Sequence, residues 1–154
     1  MRLTTSADYA LRVLMYLGLR GDDLSTIQEI AAQYGISKNH LMKLVHLLGR
    51  LGYIETVRGK KGGLRLARRP DEIIVGEIVR RMEPDMALVE CFGNSDVRCR
   101  IVKTCILQNA LGEALDRFLE TLNRYTLSDL LVPAEDLSRS FPVHIEHPPA
   151  NVAN

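Results

Sequence analysis

The chain has 154 residues, 46% of them apolar and 25% charged, with a net charge of +1. This is enough for one compact core with an appended element, in an ordinary globular composition. No apolar run is long enough to cross a bilayer, and arginines at positions 2, 12 and 20 interrupt the N-terminus too often for a secretory leader, so a cytoplasmic protein is expected. The charge is uneven: residues 38–69 hold nine Lys or Arg against one acid, Glu55, a net +8 that leaves −7 on the rest. A localised basic face makes nucleic acid the first partner to consider.

In chain order, Ala7, Ala10, Leu11, Leu14 and Leu17 recur at three-to-four spacing, with Val13 and Tyr16 widening the face, which predicts a helix over 5–20 ended by "GDD". "STIQ" reads as a capping box, so Ser25 is expected to open a second helix, with Ile27, Ile30 and Ala31 inward and Gly35 at its end. Ser37 is placed to cap a third helix over 38–51, whose buried stripe is Leu41, Leu44, Val45 and Leu48. "YIETV", "RGKKGG" and "LRLAR" alternate around a glycine-rich basic centre, the pattern of a β-hairpin. A short helix follows at about 75–82 and stops before Pro84. The cysteine segment is expected as a loop, followed by a long helix over about 101–131. There Leu111, Leu115, Phe118, Leu122 and Tyr125 step by four and three, a seam suited to another helix. From Pro133 onward the chain is polar and proline-rich and reads as a tail.

Helix, short turn, helix and basic hairpin compose a winged helix-turn-helix, so the expected fold is mainly α, with a hairpin wing and a long C-terminal dimerisation helix. The start of the second helix of such a motif meets base edges in the major groove. Ser37, Lys38, Asn39, His40 and Lys43 stand there, with an amide suited to adenine and cations suited to guanine or phosphate. Arg58, Lys60 and Lys61 charge the hairpin tip, where Gly59, Gly62 and Gly63 let the backbone approach closely. The competing reading of these charges is a solvated face, and their concentration on the two elements that would face DNA favours contact. His46, on the same helix, is expected near its buried side, while His144 and His147 fall in the tail and are assigned no role. Two copies joined through the long helix would read a palindromic operator.

All three cysteines, Cys91, Cys99 and Cys105, lie in "CFGNSDVRCRIVKTC", with Arg98, Arg100 and Lys103 among them. Positive neighbours favour thiolates, the form that binds metal. An iron–sulfur cluster or zinc can accept three thiolates. The alternatives are a redox disulfide with one cysteine left over, or reduced thiols used as small apolar packing. There is no phosphate-binding glycine loop of P-loop or Rossmann type and no acid–base or nucleophile set, which argues against an enzyme. An iron–sulfur electron carrier or enzyme stays as the alternative of another class.

"LTTSADYALRVLMYL", "IQEIAAQYGISKNHLMKLVHLLGRLGYIETVRGKKGGLRLAR" and the cysteine loop resemble the bacterial family of winged-helix iron–sulfur regulators that includes IscR and NsrR. The likeness runs from residue 1 to about 131, and "NHLMKLVHLLGRLGYI" and "NRYTLSDLL" resemble its nitric-oxide-sensing branch. Gln108 stands where the other branch carries a histidine ligand, and Asp8 in "SADYA" matches the aspartate of the nitric-oxide branch. The resemblance therefore implies a 4Fe-4S cluster held by Cys91, Cys99, Cys105 and Asp8 from the other subunit. It implies a repressor that holds DNA while the cluster is intact and releases it on nitrosylation. A redox-status regulator with a 2Fe-2S centre is the alternative within the class. Read from the residues alone, Asp8 is equally a surface partner for Arg12, one turn later. The resulting plan is a DNA-binding domain over 1–83, a cluster-binding loop over 84–106, a dimerisation helix over 101–132 and a tail over 133–154.

Overall fold

The structure is a computed structural model that describes residues 2–93, 99–101 and 104–132; the predicted tail, with His144 and His147, lies outside them. Helix α1, Thr5–Arg20, starts at Thr4, whose hydroxyl accepts from the Ala7 amide, and ends at Gly21. Its inward face is the expected one: Ala7, Ala10, Val13, Leu14, Tyr16 and Leu17 are buried. Helix α2, Ile27–Tyr34, is capped by Thr26 rather than Ser25, with Glu29 completing the capping box. Ser25 is unavailable because its backbone is paired elsewhere: its amide donates to Leu64 at 3.0 Å and its carbonyl accepts from Leu64 at 2.8 Å. Helix α3, Lys38–Arg50, buries Leu41, Leu44, Val45 and Leu48 as expected, and Ser37 occupies its cap position without a side-chain bond. His46 is exposed, one step around the helix from buried Val45, and so is not on the core side.

Strands β1, Ile54–Val57, and β2, Gly63–Leu66, pair antiparallel with Ile54 opposite Leu66 and Val57 opposite Gly63. The bridge from Ser25 to Leu64 fastens this hairpin to the chain entering α2. Gly62 is required at the tip, because a Cβ there would lie 2.2 Å from the Val57 carbonyl oxygen. Helix α4, Val75–Met82, buries Ile78 and Val79 and lies against α1.

The helix expected over 101–131 is in two pieces: α5, Ile106–Asn123, and α6, Leu127–Leu130. The break has a backbone cause. The Val75 amide donates to the Tyr125 carbonyl at 2.9 Å and the Leu127 amide donates to the Ile73 carbonyl at 2.7 Å, so residues 125–127 leave helical geometry to pair with the entrance of α4. Thr126, with Asp129 in a capping box, then restarts the helix. Leu127 is 1% exposed and joins a core that includes Leu14, Leu17, Ile30, Leu41, Leu48, Tyr53, Ile73 and Ile78. Burying an aliphatic side chain of this size contributes about 1.5–3 kcal/mol, so the clasp at 125–127 ties α5 firmly to the core formed by α1–α4 and the hairpin. Of the predicted seam, Leu115, Phe118 and Leu122 line a cavity of about 460 Å³ against α1 and α4, and Tyr125 is exposed.

Candidate functional site

The start of α3 and the hairpin border a common groove. Ser37, Lys38, Asn39 and Lys43 are exposed, as are Arg58, Lys60 and Lys61. A groove of about 480 Å³ runs between the two elements, lined by Lys38, Thr56, Gly62, Leu64, Thr26 and Gln28. Thr26, Gln28 and Thr56 were not legible as site residues, since only the docking of the hairpin on α2 puts them there. His40 is half-buried, and its ring stacks at a tilt on Tyr9 of α1 with centroids 5.3 Å apart.

The structure also divides the basic run into two kinds. Arg65 pairs with Glu55 and Arg69 with Asp71. Arg68 donates to the Gly52 and Leu51 carbonyls and lies over the Tyr53 ring at 4.8 Å, where it ties the hairpin to the end of α3. Lys38, Lys43, Arg58, Lys60 and Lys61 form no salt bridge with any described residue. Arg50, exposed at the far end of α3, is also without a salt bridge among the described residues, and Arg68 keeps its charge because it bonds only to carbonyls. Five of the unneutralised cations of this run thus stand on the first half of α3 and the hairpin tip, where a phosphate backbone would be met.

All three cysteines are free thiols. Cys91 sits half-buried in a single 3-10 turn, Glu90–Phe92; Cys99 is exposed; and Cys105 is half-buried at the N-cap of α5. Arg98 and Lys103 fall outside the described residues. Among the described residues, no three His, Cys, Asp or Glu side chains converge closely enough to hold a metal ion. Asp8 is not brought to the thiols either. Its carboxylate accepts from Arg12, Nε to Oδ1 at 3.0 Å and the terminal nitrogen to Oδ2 at 3.0 Å, with both side chains 45% exposed. Arg12 lies 5.9 Å from the ring centroids of both Tyr9 and Tyr34, and the Tyr34 hydroxyl donates to the Arg12 carbonyl at 3.0 Å. Burial pushes the Tyr34 hydroxyl up to about 12, against a smaller lowering by Arg12. The donor set suits an iron–sulfur cluster in its chemistry: three cysteines outside any disulfide and an accessible carboxylate. Among the described residues of the chain these donors are not gathered into one site.

Comparison with known proteins settles the lineage. The profile of Rrf2, described as an iron-dependent transcriptional regulator, matches residues 3–133. The chain belongs to the Rrf2 family. An Rrf2-type relative, the HTH-type transcriptional regulator NsrR of Geobacillus kaustophilus, is 51% identical over 132 residues, covering 85% of this chain and 90% of that one. Among solved structures, CymR, the global cysteine regulator of B. subtilis, superposes with a TM-score of 0.68 at 27% identity over 84% of this chain and 95% of its own. IscR of T. potens gives a TM-score of 0.70 at 26% identity over 89% and 90%. The Rrf2 chain is thus a transcription regulator rather than an enzyme, and its mainly helical winged-helix fold is the one expected from its residues.

Proposed function

We propose that this chain is a homodimeric, nitric-oxide-responsive repressor that binds a palindromic operator while a 4Fe-4S cluster is intact and releases it on nitrosylation. In this reading residues 1–83 bind DNA, 84–106 hold the cluster, 101–132 join the subunits and 133–154 form a tail, in a cytoplasmic protein. The observation that carries it is the position of Asp8. The next residue, Tyr9, touches His40 on α3, so whatever holds the Asp8 carboxylate acts one residue away from the recognition helix. The relative named NsrR, at 51% identity, supports the same choice of signal.

Cys91, Cys99 and Cys105 supply the thiolates, and Asp8 of the partner subunit supplies the fourth ligand. When bound, the cluster would supply iron reactive towards nitric oxide, and the Asp8 carboxylate would be a weaker ligand for it than the three thiolates. Asp8 has an alternative partner ready, because Arg12 lies within 3.0 Å of both its oxygens. Its return to Arg12 releases α1 from the partner's loop, and Tyr9 carries the change to α3. On DNA, Asn39 and Lys38 face base edges, Ser37, His40 and Lys43 flank them, and Arg58, Lys60 and Lys61 follow the phosphates. A difference of a few kcal/mol between two dimer geometries is enough to switch operator occupancy.

The second reading, a regulator with a 2Fe-2S centre, is favoured by the likeness to T. potens IscR; Gln108, in the place of that branch's histidine, counts against it. The test is anaerobic titration of the purified protein with nitric oxide, following absorption, Mössbauer spectra and operator binding together. Loss of the 4Fe-4S signature in step with DNA release is expected. A colourless, iron-free protein that still represses would end the proposal.

A further inference from the structure

Helix α1 is clamped at its N-cap, Thr4, by a residue far along the chain. The Thr4 amide donates to Glu83 Oε1 at 2.8 Å, and the Thr4 hydroxyl donates to the same oxygen at 3.1 Å. Thr4 in turn organises the turn that carries Asp8: its hydroxyl accepts from the Ala7 amide at 3.2 Å and its carbonyl from the Asp8 amide at 3.1 Å. Glu83, at the end of α4, gives its own amide to the Val79 carbonyl at 3.0 Å and turns to extended backbone, which leads through Pro84 to Cys91. Thr4 and Glu83 both line the apolar cavity beside Leu11, Val79, Leu115 and Phe118. Both residues are half-buried there, and a charged acceptor makes these bonds stronger than a neutral one would.

One side chain therefore joins the root of the cysteine segment to the backbone of Asp8. We propose that Glu83 is the positioning residue for Asp8, fixing the first turn of α1 against the chain's own cysteine segment and so coupling that segment to the carboxylate the chain lends to its partner. This rests on the reading of Asp8 as a ligand. It adds that the two cysteine segments of a dimer act in series. A segment disturbed in one subunit slackens the Asp8 that subunit presents to the other.

The experiment compares the anaerobic, cluster-bearing homodimer of wild type, Glu83→Ala, Glu83→Gln, Asp8→Ala and the double variant Asp8→Ala/Glu83→Ala. The readouts are bleaching under an iron chelator, the visible circular dichroism and hydrogen exchange at the Asp8 amide of the cluster-free protein. Glu83→Ala is expected to bleach about 10–100-fold faster than wild type, the usual cost of losing a group that orients a ligand. Its dichroism should move towards that of Asp8→Ala, and exchange at the Asp8 amide should quicken. Glu83→Gln keeps an oxygen for Thr4 and should stay close to wild type. The double variant should bleach no faster than Asp8→Ala, because Glu83 acts through Asp8. Multiplying effects in the double variant, or wild-type bleaching in Glu83→Ala beside a changed Asp8→Ala, overturns this inference alone. An unchanged Asp8→Ala overturns the ligand reading beneath it. If Glu83→Ala does not fold, Thr4→Ala, alone and with Asp8→Ala, makes the same comparison with the same deciding outcomes.

Discussion

Replacing Asp8 by alanine separates a ligand from a helix-surface residue by the size of two effects. In the cluster-free chain the carboxylate makes one ion pair among the described residues, with Arg12, and both partners are 45% exposed. An exposed i,i+4 pair contributes about 0.3–0.5 kcal/mol. A negative charge in the first turn of a helix adds roughly 0.3–1 kcal/mol. Alanine recovers about 0.6 kcal/mol of intrinsic helix preference over aspartate. The net loss for the cluster-free protein is therefore under about 1 kcal/mol, or no more than about 4 °C in Tm for a chain of this size. Urea and thermal unfolding at fixed protein concentration measure it, since a dimer's stability depends on concentration. The same substitution in the cluster-bearing protein should speed chromophore loss by at least about tenfold, because an iron loses a ligand. A cluster-free loss above about 2 kcal/mol would show that the pair with Arg12 carries structural weight and that the carboxylate is not free to exchange. Wild-type chromophore stability would show that it is not a ligand.

At the crossing of α4 and α5, a Cβ on Gly76 would lie 2.1 Å from Asn123 Oδ1 and 3.0 Å from the Asn123 backbone nitrogen. Overpacking of about 1–3 kcal/mol set against about 1 kcal/mol of helix preference predicts a net loss of up to about 2 kcal/mol for Gly76→Ala. Asn123→Ala should restore only part of it, because the backbone contact stays; increased stability of Gly76→Ala in urea would contradict the crossing. The Ser25 hydroxyl is buried without a hydrogen-bond partner among the described residues, so Ser25→Ala should leave stability unchanged or raise it by about 1 kcal/mol, and a loss in the same assay would speak against that environment. Replacing Lys60 and Lys61 by glutamine should weaken binding to all DNA and lower the slope of log affinity against log salt by about 1 for each phosphate no longer neutralised; an unchanged slope would exclude the hairpin tip from the DNA backbone. Tyr34 is raised from 10.0 to about 12, chiefly by burial. Its proton is held more tightly in the folded chain, so its contribution to stability is complete below pH 10 and is lost as pH rises towards 12. Spectrophotometric titration of wild type against Tyr34→Phe should show that late phenolate, and a Tyr34 transition at the ordinary value would refute its burial.

The helices and hairpin were legible because their signals are local. Ala7, Ala10, Leu14 and Leu17 on one helix, and Leu41, Leu44, Val45 and Leu48 on another, mark buried faces by spacing alone, since side chains three and four apart share a face. The basic tip and the α3 turn were visible as site candidates for the same reason: residue type and position in a local motif suffice to name them. Backbone partners distant in sequence decided the rest. Ser25 gave up its capping role to pair with Leu64, and the last helix broke because Ile73 and Val75 claimed the backbone at 125–127. Arg65, Arg68 and Arg69 belong to the same basic run as Lys60 and Lys61, yet they are used within the chain, Arg65 and Arg68 by contacts across the hairpin and Arg69 by Asp71 in the turn that follows it. Side-chain period is written into one stretch of residues. A pair such as Asp8 with Arg12 can be read from spacing along one helix, but a partner 79 residues away is set only when two distant stretches meet, which is why the clamp of Glu83 on Thr4 left no mark in the sequence and required the tertiary structure.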